Sequence, residues 1–451
     1  MSVEITKALL DIITSYIEAS DNAALVEYFE EMHHADIAEI LDELSFEEAV
    51  YIIKLLDSEK TSEVLMDVDD DVREKILQNL SAKEIAEEVQ ELDSDDAADI
   101  IGELSEERQE AVMSQIVDEE HVKEIEELLN YDDNTAGSLM AKELVKVNEN
   151  WTVLKCVREM RIQAEEVTRV HSIYVIDNKR KLKGRLSLKD LLIASTKTAI
   201  SQVYIPNVDY VYDSDNLDEV SFKMRKYDLE AIPVVDENHI LLGRITIDDM
   251  VDVIKEEAEK DYQLAAGIVE DVEADDSIFE LTKARLPWLI LGLLGGLGSV
   301  LIMDAFDDSI RVIKNYDKLF FFTPLIAAMA GNVGVQSSAI IVQGLANDSV
   351  KGSLWKRLLK EVGLSLINGL ILGIILIGVA PLVSLDLYYS ITIAISMLCV
   401  IIVASLVGTF VPIVLDKKGI DPAIATGPFI TTSNDIFGIF LFFLIAKSML
   451  I

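Results

Sequence analysis

Cysteine is nearly absent from this chain: its 451 residues include two, Cys156 and Cys399. One lies in an acidic stretch and the other in an apolar one, so no disulfide is expected, and no zinc-ligand spacing is present. A bound metal is therefore expected to meet oxygen rather than thiolate. Histidine is also sparse, with His33, His34, His121, His171 and His239 scattered along the chain. No Ser/His/Asp or Cys/His arrangement and no G-x-x-x-x-G-K-[ST] loop is found, which argues against an enzyme or an ATP-driven pump. The opening MSVEITKALL lacks a basic n-region and a cleavage site, so no signal peptide is expected. Basic residues are outnumbered 39 to 80, a net charge of −41. Nucleic acid is thus excluded as a partner, because its phosphates would be repelled.

The charge is not evenly spread. Residues 283–451 carry 12 basic and 10 acidic residues; the remaining 27 and 70 lie in residues 1–282. An intensely acidic portion is therefore joined to a nearly neutral apolar one. The apolar portion contains five stretches long enough to cross a bilayer, at about 286–303, 319–346, 362–385, 387–415 and 422–446. Five crossings put the termini on opposite sides. Lys283, Arg285, Lys351, Lys356, Arg357, Lys360, Lys417 and Lys418 would share one side, and Arg311, Lys314, Lys318 and Lys447 the other. The excess of positive charge makes the first side cytoplasmic, with the acidic portion inside and the C-terminus outside. The segment KGSLWKRLLKE (351–361) reads as an interfacial amphipathic helix.

The fifth stretch carries one acid, Asp435, preceded by Thr431, Thr432, Ser433 and Asn434. A carboxylate at bilayer depth costs about 2.5–3.5 kcal/mol on insertion scales, so it faces a bundle interior or a water-filled path. Gly427-Pro428 permits a helix break there. The second stretch contains TPLIAAMAGNVGVQSSA, with Asn332 and Gln336 one helical turn apart, a pattern suited to a polar pore face. GLLGGLGS (292–299) reads instead as a tight helix-packing surface.

In the acidic portion, residues 21–129 repeat a short amphipathic pattern, as in ADIAEILDEL, KEIAEEVQEL and DDAADIIGEL. Ser45, Ser58, Ser81, Ser94 and Ser105 recur near helix starts about every 12 residues, several with Glu at capping-box spacing. A superhelix of short helices is expected. Asp95 and Asp99, four apart, share a helical face. Beyond the linker YDDNTAGSLM, strands alternate with helices, and GRLSLKDLL (184–192) recurs as GRITIDDMV (243–251). A long helical stretch, 246–287, then leads into the first span, with Asp249, Asp252, Glu256 and Glu259 forming an acidic stripe.

The duplication resembles a pair of CBS domains. Such pairs often bind adenine nucleotides through a Gly-hydrophobic-Ser/Thr-x-x-Asp piece, matched by Gly184, Ser187 and Asp190 and by Gly243, Thr246 and Asp249; the motif leaves ATP binding open. The whole order of elements resembles the MgtE family of magnesium channels. PLIAAMAGNVGVQS (324–337) resembles that family's second-span signature, apart from Ala330 where glycine is common, and TTSNDIFG (431–438) resembles its fifth-span motif. The resemblance implies an acidic helical domain (1–130), a tandem CBS pair (136–256), a connecting helix (257–285) and a five-helix transmembrane domain (286–451). It also implies a homodimer with one pore, Asp435 selecting the cation beside Asn332 and Gly331, and Asp421 at the cytoplasmic mouth. Regulatory Mg2+ would bind at Glu63, Asp95, Asp99, Asp218, Asp228, Asp249, Asp252, Glu257 and Asp261, holding the pore shut. Lys260 interrupts that acidic run. The alternative is a CBS-regulated carrier for Co2+, Mn2+ or a small solute.

Overall fold

A computed structural model describes residues 5–451 except 165, 166, 168, 271, 273–275, 314, 315, 347–349, 351 and 426. Lys314 and Lys351, two of the flanking cations named above, lie outside the described residues. The chain divides into two compact units, Met1–Ile254 and Lys255–Ile451.

The first unit begins with ten short helices. They are α1 (Lys7–Glu18), α2 (Asn22–Glu30), α3 (His34–Glu43), α4 (Phe46–Ile53), α5 (Ser58–Asp67), α6 (Asp70–Asn79), α7 (Ala82–Val89), α8 (Ser94–Gly102), α9 (Glu106–Met113) and α10 (Glu119–Leu128). From α3 to α9 each helix starts twelve residues after the one before. The cause is local: a cap, two turns of amphipathic helix and a tight turn fill the repeat. Ser45 and Ser81 close capping boxes with Glu48 and Glu84, each satisfying otherwise orphaned N–H groups at the helix start. Ser58 and Ser94 do not occupy the cap, which falls to Asp57 and Asp93.

Two sheets follow. The first has the order β1 (Val145–Asn148), β2 (Ile173–Ile176), β3 (Leu182–Leu186), β4 (Ile205–Pro206), with α11 (Val153–Gln163) crossing over between the parallel pair β1 and β2. The second has β5 (Val211–Tyr212), β6 (Ala231–Val235) and β7 (Leu241–Thr246), with α13 (Leu217–Tyr227) in the equivalent crossover. The repeated GR motif ends β3 and β7 and opens α12 (Leu188–Ile193) and α14 (Ile247–Ala266). The largest core runs without interruption from Ile13 through the helices to Val211, Val234 and Ile245.

The second unit contains α15 (Ile278–Ile310), α16 (Asp317–Phe321), α17 (Thr323–Ala346), α18 (Leu354–Val379), α19 (Leu387–Asp416) and α20 (Gly427–Leu450). Among the described residues, five segments are long and apolar enough to cross a membrane. α17 packs on α19 and α20, α18 on α19, and α15 on α20. Outward rows such as Leu289, Leu293, Leu297 and Leu301 on α15, and Ile367, Leu370 and Ile374 on α18, give the surface a lipid-facing helix needs.

Three expectations change. Residues 354–361 form no separate interfacial helix; they are the first turns of α18, because nothing between Glu361 and the span breaks the hydrogen-bond ladder. The stretch 246–287 is not one helix: α14 stops at Ala266, Gly267 adopts φ 85°, and α15 starts under a Ser277–Glu280 capping box. The expected connecting helix, 257–285, is accordingly the end of α14, a break and the start of α15. The fifth span starts at Gly427, preceded by a short 3-10 turn at Pro422–Ala425.

Candidate cation site

The sequence of α17 lets α20 come unusually close. A Cβ on Gly334 would stand 1.9 Å from Asn434 Nδ2. One on Gly331 would stand 3.0 Å from Thr431 Cγ2 and 3.3 Å from Asp435 Oδ1, and one on Gly438 2.9 Å from the Ala330 Cβ. Missing side chains thus permit the approach, as small residues do in membrane bundles. From α19, Gly408 closes on the same place, where a Cβ would lie 2.3 Å from the Gly334 carbonyl oxygen.

Asp435 is half-buried against Gly331. Asn332 is exposed, on a stripe with Pro324, Ala328 and Gln336 at four-residue spacing. These residues share one helical face. Asn434 is 1% exposed, and among the described residues neither its amide atoms nor the Thr409 hydroxyl has a hydrogen-bond partner. Sequence reasoning named Asn434 only as a neighbour of Asp435 and passed over Thr409. Unsatisfied groups at that depth are costly, so polar atoms are gathered at this crossing against the apolar background. Asp421 is exposed in the turn between α19 and α20, where its Oδ1 accepts a 2.7 Å bond from Ala423 N–H. A carboxylate with carboxamide oxygen nearby suits a small hard ion that keeps its water.

The start of α20 is gripped by the end of α14. Gly427 has φ 35°, and a Cβ there would meet the Ala265 carbonyl oxygen at 2.1 Å; Gly267 would meet Pro428 Cγ at 2.4 Å. The end of α14 thus lies against the start of the helix that carries Asp435. Glu257 and Asp261 are exposed on that same segment of α14.

In the first unit, Asp95 is 7% exposed in the first turn of α8, and its Oδ1 has no hydrogen-bond partner among the described residues. Its donor atom lies within 4.8 Å of those of Asp93 and Glu143. Burial, then the charges of Asp96, Asp249, Asp93 and Glu143, hold its pKa well above the usual carboxylate range. Asp96 is pushed up to about 7, by burial first and then by Asp249, Asp93, Asp99 and Glu143. Arg244 offsets part of this charge, with a 3.1 Å ion pair to Asp93 and a 2.7 Å bond to the Glu143 carbonyl. Asp249 accepts bonds from the Thr246 N–H and hydroxyl, and so caps α14.

Asp95 and Asp249 are thus brought into one acidic environment. Glu63, Asp99, Asp218, Asp228 and Asp252 are exposed, on α5, α8, α13, the left-handed cap of α13 and α14. Asp93, Asp96 and Glu143 were not anticipated. The DSDD run was a signal for the first two; Glu143, remote in sequence, had none. Ser187 and Asp190 are half-buried at the N-terminus of α12, where Ser187 makes no capping bond with its side chain.

Known proteins match throughout. Residues 323–445 match the family MgtE, described as a divalent cation transporter; residues 32–134 match the MgtE intracellular N domain; residues 136–197 and 200–256 match CBS domains. The magnesium transporter MgtE of Enterococcus faecalis is 36% identical over 325 residues, covering 72% of this chain and 71% of its own. The chain belongs to the MgtE family of magnesium transporters. A second MgtE relative, from Thermus thermophilus, is 34% identical over 329 residues, with 72% of each chain covered. These relatives are named as transporters, not enzymes. Among solved structures, the cytosolic domain of the Mg2+ channel MgtE in complex with ATP superposes with a TM-score of 0.51 at 33% identity, covering 54% of this chain and 99% of its own. The helical unit, CBS pair and five membrane-length helices are those of an MgtE multi-pass membrane protein.

Proposed function

We propose that this MgtE protein is a Mg2+-selective channel for uptake, that Asp435 is its selective carboxylate beside Asn332 and Gly331, and that cytosolic Mg2+ closes it. The observation that carries this reading is the grip of α14 on Gly427-Pro428, the start of the helix bearing Asp435. Two carboxylates about 5 Å apart repel by roughly 3 kcal/mol at an effective dielectric near 20. The crowd at Asp95, Asp96 and Asp249 is only partly compensated by Arg244, and its all-oxygen donors fit a hard divalent ion. Bound Mg2+ would supply the missing counter-charge there. Exposed Glu63, Asp99, Asp218, Asp228, Asp252, Glu257 and Asp261 extend the acidic surface available to it. Without that compensation the acidic faces part, α14 is drawn off Gly427, and the pore opens; Asp421 lines its mouth.

The polar stripe of Asn332 and Gln336, exposed on a single chain, supports a homodimer in which two copies complete one pore. The basic flanks support a cytoplasmic N-terminal unit and an external C-terminus. The solved relative in complex with ATP supports a nucleotide at Ser187 and Asp190. The decisive experiment is Mg2+ flux through the full chain in liposomes, with graded Mg2+ on the face carrying the N-terminal unit. Flux that falls as that concentration rises is expected; flux indifferent to it overturns the gating, and no flux overturns the channel.

A further inference from the structure

His121 and Glu124 stand three apart on α10 and so share one helical face. Glu143, from the segment before β1, faces them: one donor atom from each of the three side chains lies within 4.8 Å of the others. Three features distinguish this group from the acidic surface around it. Histidine contributes a nitrogen. Its Nε2 is 3.2 Å from the Val89 carbonyl oxygen, which can only accept, so Nε2 bears the proton and Nδ1 keeps its lone pair. Metal-binding histidines are oriented in this way, by a second bond from the other ring nitrogen. Glu143 is oriented as well: its Oε2 accepts from the Ser94 N–H at 3.1 Å and from the Ser94 hydroxyl at 2.8 Å. Third, Asp95, whose buried Oδ1 has no hydrogen-bond partner among the described residues, also has a carboxylate oxygen within 4.8 Å of one from the same Glu143.

We propose that His121, Glu124 and Glu143 form a binding site for a late first-row divalent metal of the Zn2+ or Co2+ class, distinct from the all-oxygen sites for Mg2+. Mixed imidazole and carboxylate donors favour such ions, whereas Mg2+ prefers oxygen alone. Glu124 is itself pushed up to about 7, by burial and then by Glu143 and Glu120, with Lys142 and Lys146 opposing; a cation placed between Glu124 and Glu143 removes that repulsion. The site would tie α10 to the entry of the first sheet. It stands whether or not the pore reading does, since none of its residues is in the membrane unit.

The test is Co2+ titration of the full detergent-solubilised chain in saturating Mg2+, which silences the oxygen sites, followed by visible absorption. One Co2+ per chain with d–d bands is expected. His121→Ala and Glu124→Gln should each weaken it at least about tenfold, at unchanged Mg2+ flux. His121→Cys should retain Co2+ and add a thiolate-to-cobalt charge-transfer band, a gain of signal that loss of folding cannot mimic. Co2+ binding unaltered by His121→Ala, or no new band in His121→Cys, overturns the site.

Discussion

Replacing Gly427 with alanine puts a methyl group where there is no room for one. Its Cβ would lie 2.1 Å from the Ala265 carbonyl oxygen, and the backbone there has φ 35°. The obstacle is main chain, so no side-chain rotation relieves it. A left-handed conformation costs an L-residue about 1–2 kcal/mol wherever α14 lies, and the clash adds strain of about 1–3 kcal/mol. Moving the end of α14 away from α20 relieves the clash, so that added strain falls on the closed arrangement. A bias of that size changes the open-to-closed ratio about 5- to 150-fold. The assay is Mg2+ efflux from liposomes across a series of Mg2+ concentrations on the regulatory face. Gly427→Ala should need several-fold more Mg2+ for half-closure, with maximal flux retained. An unchanged half-closing concentration, or a lower maximal flux with closure unmoved, would refute the view that α14 latches α20 at this residue.

Three further outcomes are expected. Asp435→Asn should abolish Mg2+ flux while leaving membrane insertion and oligomeric state unchanged by size-exclusion chromatography; normal flux would remove Asp435 from the pore. Gly334→Ala forces the buried Asn434 side chain from its place and should lower stability by about 1–3 kcal/mol, visible as an earlier melt of the membrane unit; an unchanged melt would mean α17 and α20 are not so close. Glu88 on α7 has its pKa raised to about 8, by burial first and then by Glu87, Asp57, Glu91 and Glu84. Because this folded value exceeds the unfolded one, its contribution is fully present below pH 4 to 5 and is lost as pH rises through 8. Glu88→Gln should therefore stabilise the fold at pH 8 and above by about 1 kcal/mol after solvent screening, read as a higher melting temperature, and leave it unchanged near pH 4; a melt equal to the parent's at pH 8.5 would refute the burial penalty.

Much of this architecture was readable because its causes are local. A capping serine or aspartate, two amphipathic turns and a twelve-residue period need no partner to be recognised, and α3 to α9 start where that period places them. The membrane helices announce themselves through uninterrupted apolar runs, and Asp435 through its cost within one. The errors are equally physical. Residues 354–361 carry basic and apolar residues in an interfacial pattern, yet continue into α18 because helix propagation is cooperative and no breaker intervenes. Gly267 ended α14 within the stretch 246–287, which the acidic stripe of its first half had made read as one helix.

From the order of residues alone came the division into an acidic and an apolar portion, the repeat, the duplicated sheet units and the intramembrane carboxylate, since each is a property of composition or short-range spacing. Tertiary structure alone decided which carboxylates are crowded and which exposed, that Glu143 belongs both to a group with Asp93 and Asp95 and to one with His121 and Glu124, and that α14 ends against Gly427. Those relations bring together residues tens to more than a hundred positions apart. Charge repulsion and steric contact act through space, and chain order does not encode which distant segments the packed core will make neighbours.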